Sequence, residues 1–280
     1  MRLKLGCHLE YSTTGPVPFV FNVEVQSFPG QAVEQETLSI SPDLRLEHWT
    51  MPESGNRYFR VNLPGGPLSI RYTATVNVTP ALDNPTEVAE IALSNLPLSV
   101  LPHLYPSRYC QSDKLDRFAR STFGHFHTGY SRVNAVCNWI NEYVAYEGGV
   151  SDAMTSAFDT VTQRAGVCRD FAHLGIAICR ALGIPARYIS AYALRLYPPD
   201  FHAVFEAFLA GPHGPAWYVF DPTRLADPGG LVRIGVGRDA AEVAFSTIFG
   251  PACSAPPEVW IEALEPAPDV TVKAVRPNRA

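Results

Sequence analysis

The first hundred residues alternate apolar and polar positions in short runs. The alternation is clear in residues 19–25, 44–49 and 69–76, and Gly, Pro and Asn separate these runs. A period of two is typical of strands with one buried face. The pattern predicts an antiparallel β-sandwich over residues 1–105, in which nothing points to catalysis.

A second kind of pattern follows Pro97, Pro102 and Pro106. Apolar residues then recur at helical spacing, namely Val133, Val136, Cys137, Ile140 and Val144. The prolines interrupt regular structure, and the new period favours helices. We therefore expect a second domain over residues 106–270 and a flexible tail over residues 271–280.

A cysteine lies near the start of one predicted helix in the second domain. The apolar residues between Phe171 and Leu182 recur at helical spacing, and Gly183 and Pro185 end the helix, so Cys168 lies in its first turn. Free backbone N–H groups and the helix dipole there stabilise a thiolate relative to a thiol. The alternative is a small apolar residue that fills the junction between helix and core.

Two segments of strand composition follow this helix. Residues 200–209 and 217–223 are rich in aromatic and β-branched residues, and the intervening glycines and prolines favour a tight reversal. Placing His202 opposite Asp221 puts the reversal between Gly211 and Pro212, where the turn residues lie. Side-chain alternation then puts both groups on one face of the hairpin. Pro215 lacks an N–H group, so we expect pairing to fade near the turn.

A thiol, an imidazole and a carboxylate in this order suit nucleophilic catalysis. The thiol needs a base within hydrogen-bond reach, and the base needs a third group that fixes its tautomer and orientation. The sequence therefore predicts a catalytic triad of Cys168, His202 and Asp221. The alternatives are a histidine bonded to backbone and an aspartate that closes a turn with Pro222 and Thr223.

The motifs around these three residues resemble a known family. Residues 166–173, 183–188, 201–203 and 220–223 are similar to the core motifs of the transglutaminase-like superfamily, in particular its bacterial branch of cysteine protease-like proteins. The likeness extends from about Leu101 to Ala240, and the preceding β-rich region resembles the N-terminal part of the same proteins. It implies an α+β, papain-like core after an N-terminal β-sandwich. It also implies that Cys168 is the nucleophile, His202 the general base and acid, and Asp221 the orienting group.

Composition and charge narrow the function classes. The chain has 280 residues and a formal net charge of −5, with no basic run, which argues against a nucleic-acid partner. No apolar stretch is long enough for a signal peptide or a membrane span, so we expect a cytoplasmic protein without a membrane partner. The six cysteines lie far apart, which predicts reduced thiols rather than disulfides. His125 and His127 lack a nearby carboxylate or thiol, so we expect neither a metal nor a cofactor.

The expected reaction is acyl transfer from a peptide or amide substrate through a thioester on Cys168. Water as the acceptor makes the protein a peptidase or amidase, and an amine makes it a protein-crosslinking transglutaminase; the bacterial resemblance favours hydrolysis. The oxyanion requires two donors, for which we consider the Cys168 backbone N–H and Gln163, although Gln163 fits a solvated helix position equally well. Glycan removal has less support, because no glycan-binding feature is present. A non-catalytic binding or scaffold module is the alternative of a different class.

Overall fold

The computed structural model describes residues 1–266 and 273–278. Residues 1–83 form seven strands: β1 (Arg2–Thr13), β2 (Val17–Phe21), β3 (Gln31–Ser41), β4 (Glu47–Thr50), β5 (Arg57–Leu63), β6 (Gly66–Val78) and β7 (Ala81–Asp83). Short 3₁₀ turns at Pro85–Glu87, Leu93–Asn95 and Leu98–His103 lead from these strands to the helices.

The rest of the chain mixes helices and strands. The helices are α1 (Ser112–Phe123), α2 (Tyr130–Tyr143), α3 (Ala157–Gln163) and α4 (Cys168–Ala181). The strands are β8 (Ala145–Tyr146), β9 (Ala165–Gly166), β10 (Ala186–Ala193), β11 (Phe201–Gly211), β12 (Gly214–Phe220), β13 (Leu231–Gly237), β14 (Ser246–Ile248), β15 (Cys253–Ser254), β16 (Glu258–Ala263) and β17 (Ala274–Arg276). Further 3₁₀ turns lie at Pro228–Gly230 and Ala240–Glu242.

Two antiparallel sheets form the N-terminal part. One has the order β15–β1–β6–β3, with β16 also on β1, and the other has the order β14–β2–β5–β4. Alternate residues of β1 are buried, and a shared apolar core joins both sheets. The rings of Phe19, Phe21 and Phe59 lie at its centre, with adjacent ring centroids 5.2–5.8 Å apart. The period-two pattern correctly predicts a strand-built N-terminal region.

The sandwich uses strands from both ends of the chain. β14 pairs with β2, and β15 and β16 pair with β1, although all three lie within the range that the sequence assigns to the second domain. β6 satisfies only one edge of the twelve-residue strand β1, so β15 and β16 satisfy much of the other edge. Strands from both sides of the expected boundary near residue 105 therefore share the two N-terminal sheets.

The second part is built around α4. Helices α1, α2 and α3 pack on it from one side, and a four-stranded antiparallel sheet, β12–β11–β10–β13, packs from the other. The α4 residues from Asp170 to Ala181 are all buried. A Cβ at Gly175 would lie 2.5 Å from the Phe205 ring, so glycine lets α4 approach β11 closely. Gly183 has φ +83° and ends the helix as the sequence predicts. The fold class is α+β, as expected.

The hairpin of β11 and β12 differs from the expected register. Glu206 pairs with Val219 and Phe208 with Trp217, and pairing continues to Gly211 and Gly214 at the turn. Pairing ends instead at Phe205 and Phe220, so His202 does not lie directly opposite Asp221. Pro215 is tolerated next to the turn because β12 is an edge strand, and β11 is its one partner among the strands that the structure describes.

The C-terminal segment carries one further pairing. The sequence predicts a flexible tail over residues 271–280, of which 271, 272, 279 and 280 lie outside the described residues. Within the described part, β17 pairs with β7, and Arg276 Nε donates to Asp83 Oδ2 at 2.8 Å. These residues are therefore held by the fold rather than free. Among the residues that the structure describes, no helix is both long and apolar enough to cross a membrane.

Candidate active site

Cys168 is the first residue of α4, and its neighbours hold it there. The Asp170 carboxylate is fully buried and accepts the Val167 N–H at 2.9 Å, which satisfies one of the free donors at the helix start. Arg169 Nε and Nη2 donate to the other Asp170 oxygen at 3.1 and 3.0 Å. The turn before the helix is therefore fixed, and the half-buried Cys168 side chain faces a cavity.

His202 and Asp221 form a buried hydrogen bond. His202 lies on β11 and Asp221 directly follows β12, on the same face of the hairpin, and Nε2 is 3.0 Å from Oδ2. Only 2% of His202 and 1% of Asp221 is exposed. The contact is diagonal rather than directly across the pair, because the register is shifted from the expected one. Alternation along both strands still brings the two side chains together.

Asp221 accepts three further hydrogen bonds. Its Oδ1 accepts from the Thr223 N–H at 2.8 Å and the Thr223 hydroxyl at 2.6 Å, and its Oδ2 also accepts from the Ala226 N–H at 3.1 Å. Burial raises the pKa of Asp221, but the His202 and Thr223 bonds outweigh it and the pKa is lowered. Asp221 therefore closes a turn and binds the imidazole at the same time.

The thiol and the imidazole interact. Burial lowers the pKa of His202, but the Asp221 hydrogen bond and the Cys168 thiol outweigh it and raise the pKa to about 10. Asp221 occupies Nε2, which leaves Nδ1 to face the thiol. Nδ1 is buried and has no partner with full hydrogen-bond geometry in the described part of the chain. The arrangement places the Cys168 thiol beside an imidazole that a buried carboxylate holds in position.

Cys168 and His202 line one open cavity of about 640 Å³. Tyr109, Tyr188 and Ala240 form part of its wall, while Arg169 and Asp200 supply charged side chains. The cavity is continuous with the sandwich, because residues of β14 also line it. Both parts of the fold therefore contribute to the wall of this cavity.

Comparisons with known proteins agree with this architecture. The bacterial transglutaminase N-terminal domain profile matches residues 1–99, and the transglutaminase-like superfamily profile matches residues 116–222. A crystal structure from Cytophaga hutchinsonii, described as a candidate cysteine protease, is 41% identical with a TM-score of 0.92, and the match covers 99% of this chain and 97% of that one. The chain belongs to the transglutaminase-like superfamily. This membership supports a cysteine-dependent hydrolase or transferase.

Curated mycobacterial relatives match a shorter part of this superfamily member. An uncharacterized protein of Mycobacterium leprae (strain TN) is 32% identical over 130 residues, which cover 42% of this chain and 44% of that protein. An uncharacterized protein of Mycobacterium tuberculosis (strain ATCC 25618 / H37Rv) is 34% identical over 110 residues, or 35% of each chain. The matched region thus spans less than half the length of these relatives.

Tyr146 is a site residue that the sequence reasoning missed. β8 runs parallel to β9, with Tyr146 paired to Gly166 just before Cys168. The Tyr146 ring lies 5.6 Å from the Phe171 ring, and its hydroxyl interacts with both the thiol and the backbone N–H of Cys168. Burial and the neighbouring Cys168 raise the pKa of Tyr146, so the phenol stays protonated and can donate. Its two-residue strand is too short to leave a signal in the sequence pattern.

His173 supports the cavity wall from inside the core. Its Nε2 accepts the Ala240 N–H at 3.1 Å, and its ring stacks on Tyr109 at 5.0 Å between centroids. Burial lowers the pKa of His173 to about 3, so the ring is neutral and can accept this bond. The sequence places His173 in the cysteine motif but gives it no role.

Gln163 and three arginines with buried or polar partners are not among the residues that line the cavity. Gln163 is exposed at the end of α3 and is not among the cavity-lining residues. Arg187 and Arg233 both bind the fully buried Glu206 carboxylate, and Arg224 Nη2 donates to the amide oxygens of two asparagines on α2. These three arginines therefore have structural partners.

The remaining cysteines differ from Cys168 in their surroundings. None of the six cysteines, all within the described residues, forms a disulfide. Burial raises the pKa of Cys110 and Cys137 to about 12 and that of Cys7 to about 11. Cys253 is exposed on β15. Cys168, by contrast, lines one cavity together with His202.

Proposed function

We propose that this protein hydrolyses amide bonds in peptides through a thioester on Cys168. The observation that carries the proposal is the buried His202–Asp221 hydrogen bond beside a cavity-facing thiol at a helix start. A base fixed by a carboxylate and adjacent to a thiol is the arrangement that nucleophilic catalysis requires. Membership in the transglutaminase-like superfamily supports the same class of reaction.

Each group has one task in the acylation step. The Cys168 thiolate attacks the carbonyl carbon and forms a C–S bond, and the carbonyl electron pair moves to oxygen. When the tetrahedral species collapses, the C–N bond breaks and the His202 imidazolium gives its proton to the leaving amine. Asp221 keeps Nε2 bound, so Nδ1 remains directed at the thiol and the leaving group.

Hydrolysis of the thioester reverses these roles. Neutral His202 takes a proton from water, the resulting hydroxide adds to the carbonyl, and the C–S bond breaks to release a carboxylic acid. Cys168 returns to the thiolate and His202 to the imidazolium, so protons and electrons balance over the cycle. The open cavity admits the water molecule without further rearrangement.

Two donors next to Cys168 are proposed to stabilise the oxyanion. One is the Cys168 backbone N–H, and the other is the protonated Tyr146 hydroxyl, which interacts with that same N–H and with the thiol. The carbonyl oxygen of the substrate would replace the contact between these two groups, so that both donate to it as charge develops. In this proposal Tyr146 is the second oxyanion donor instead of Gln163, whose exposed position does not suit this role.

Turnover of activated acyl esters and peptide p-nitroanilides tests the proposal. Wild type is expected to release the chromophore, Cys168→Ala is expected to be inactive, and Cys253→Ala, a matched change at an exposed cysteine outside the cavity, is expected to retain activity. Adding a primary amine shows which acceptor resolves the thioester. Predominant transfer to the amine at low amine concentration would replace hydrolysis by transamidation, and activity in Cys168→Ala would contradict the whole assignment.

A further inference from the structure

β14 is an edge strand whose residues line the active-site cavity. It pairs with β2 alone among the described strands, at the end of the sheet β14–β2–β5–β4. Its three residues, Ser246, Thr247 and Ile248, line the same cavity as Cys168 and His202. A sheet edge therefore borders the reactive groups.

The hydrogen-bond pattern shows which main-chain groups of β14 are free. The Phe245 carbonyl accepts from the Asn22 N–H at 3.1 Å, and the Phe249 N–H donates to the Pro18 carbonyl at 3.0 Å. In an antiparallel pair, alternate residues point their N–H and C=O groups at the partner strand. Thr247 lies midway between Phe245 and Phe249 and pairs with Val20, so its main-chain groups also point at β2. The main-chain groups of Ser246 and Ile248 therefore point away from β2.

The free edge is accessible. Ile248 is 37% exposed and the adjoining Phe249 is 62% exposed, and both are large apolar side chains. Exposed edges with unpaired N–H and C=O groups readily accept another strand, and proteins normally shorten, charge or cover such edges. This edge carries apolar side chains instead, beside a cavity that holds a nucleophile.

From this geometry we propose that β14 binds the substrate as an added antiparallel or parallel strand, so that the substrate is an extended polypeptide segment rather than a small amide. The inference rests on the proposed function, because it assigns the substrate of the same site. An extended peptide presents N–H and C=O groups to one side at every second residue, which matches the spacing of Ser246 and Ile248. Main-chain pairing supplies affinity that is independent of side-chain sequence, while the cavity receives the side chains.

A proline substitution separates the main-chain contact from the fold. Ile248→Pro removes an N–H that β2 does not use, and proline is tolerated in edge strands where the N–H faces outward. Ile248→Ala is the matched control, because it removes the apolar side chain and keeps the N–H. One lost hydrogen bond corresponds to roughly a three- to tenfold lower kcat/KM for extended peptides. We expect Ile248→Pro to show that loss relative to Ile248→Ala for extended peptides, and a clearly smaller loss for a single-residue activated ester, which is too short to pair along β14.

A second measurement uses no strand variant and no turnover. A hexapeptide selected from a random library for binding to Cys168→Ala is methylated at each backbone nitrogen in turn, and binding of each form is measured by fluorescence polarisation. We expect affinity to fall when alternate nitrogens are methylated and to persist at those between. Uniform tolerance, or loss without alternation, would overturn strand addition, as would equal loss of peptide and ester turnover in Ile248→Pro. Failure of the wild type to turn over the small ester would instead count against the proposed function.

Discussion

Replacing Asp221 by Asn changes one oxygen to an amide without changing the size of the side chain. The Asp221 carboxylate is the acceptor in all four of its hydrogen bonds, which come from His202 Nε2, the Ala226 N–H, and the N–H and hydroxyl of Thr223. An asparagine has only one acceptor oxygen. In either orientation its NH₂ group faces a backbone N–H, so at least one buried donor loses its acceptor.

Asp221→Asn is expected to affect both stability and turnover, and the hydrogen bonds of Asp221 indicate the size of each effect. An unsatisfied buried donor costs about 1–3 kcal/mol, so the free energy of unfolding is expected to fall by that amount. The larger effect is on catalysis, because loss of the carboxylate removes the charge that raises the His202 pKa and fixes Nδ1 toward the thiol. By analogy with the carboxylate of serine-enzyme triads, turnover is expected to fall roughly 10³- to 10⁴-fold.

The assay compares turnover of an activated amide with stability from denaturant titration. Thr223→Val is the control, because it leaves His202 bound to Asp221 and removes two bonds of the Thr223 hydroxyl: the one it donates to Asp221 at 2.6 Å and the one it accepts from the Leu225 N–H at 3.1 Å. We expect it to lose about 1–3 kcal/mol of stability and to keep turnover near the wild-type value. If Asp221→Asn also kept wild-type turnover while folded, Asp221 would be a turn-closing residue only, and the site would reduce to Cys168 and His202.

Three further outcomes are expected. Iodoacetamide should alkylate the cavity-facing Cys168 before the fully buried Cys137, whose pKa burial raises to about 12, and mass spectrometry over a time course checks the order. Equal rates would argue against an accessible, reactive thiol at Cys168. Tyr146→Phe should lower kcat about 10²- to 10³-fold with little change in KM, and an unchanged kcat would remove Tyr146 from the oxyanion site. Because the pKa of His202 is raised from its ordinary value of about 6.5 to about 10, its protonation stabilises the fold fully below pH 6.5, and this stability is lost as the pH rises toward about 10. In denaturant titrations, Asp221→Asn should therefore lose less free energy of unfolding than the wild type over that pH range. Identical pH profiles would contradict the role of Asp221 in raising the His202 pKa.

Local patterns in the sequence were sufficient to predict that Cys168 lies at the start of a helix and that His202 and Asp221 share one face of a hairpin. Helical spacing with a glycine terminator defines where α4 begins and ends, and strand alternation defines the face of each side chain whether or not the register is right. The exact register was wrong, because several residues of the Gly-Pro-His-Gly turn could form the reversal. The structure uses a two-residue loop between Gly211 and Gly214.

Features that depend on distant pairing were not predictable in this way. β14, β15 and β16 are short, and their role becomes visible only when they pair with β1 and β2 from the other end of the chain. Tyr146 likewise reaches Cys168 through a single parallel pairing with Gly166. The cytoplasmic location and the lack of a nucleic-acid partner stay predictions from the sequence.

Capture of the acyl-enzyme tests the central claim most directly. The wild-type protein is mixed with an activated acyl ester, quenched in acid within one turnover, and analysed by intact-mass measurement and peptide mapping. We predict a mass increase equal to one acyl group, located on Cys168, removed by hydroxylamine and missing from Cys168→Ala. A folded wild-type protein that turns over the ester without any adduct on Cys168, or with the acyl group on another residue, would contradict the account.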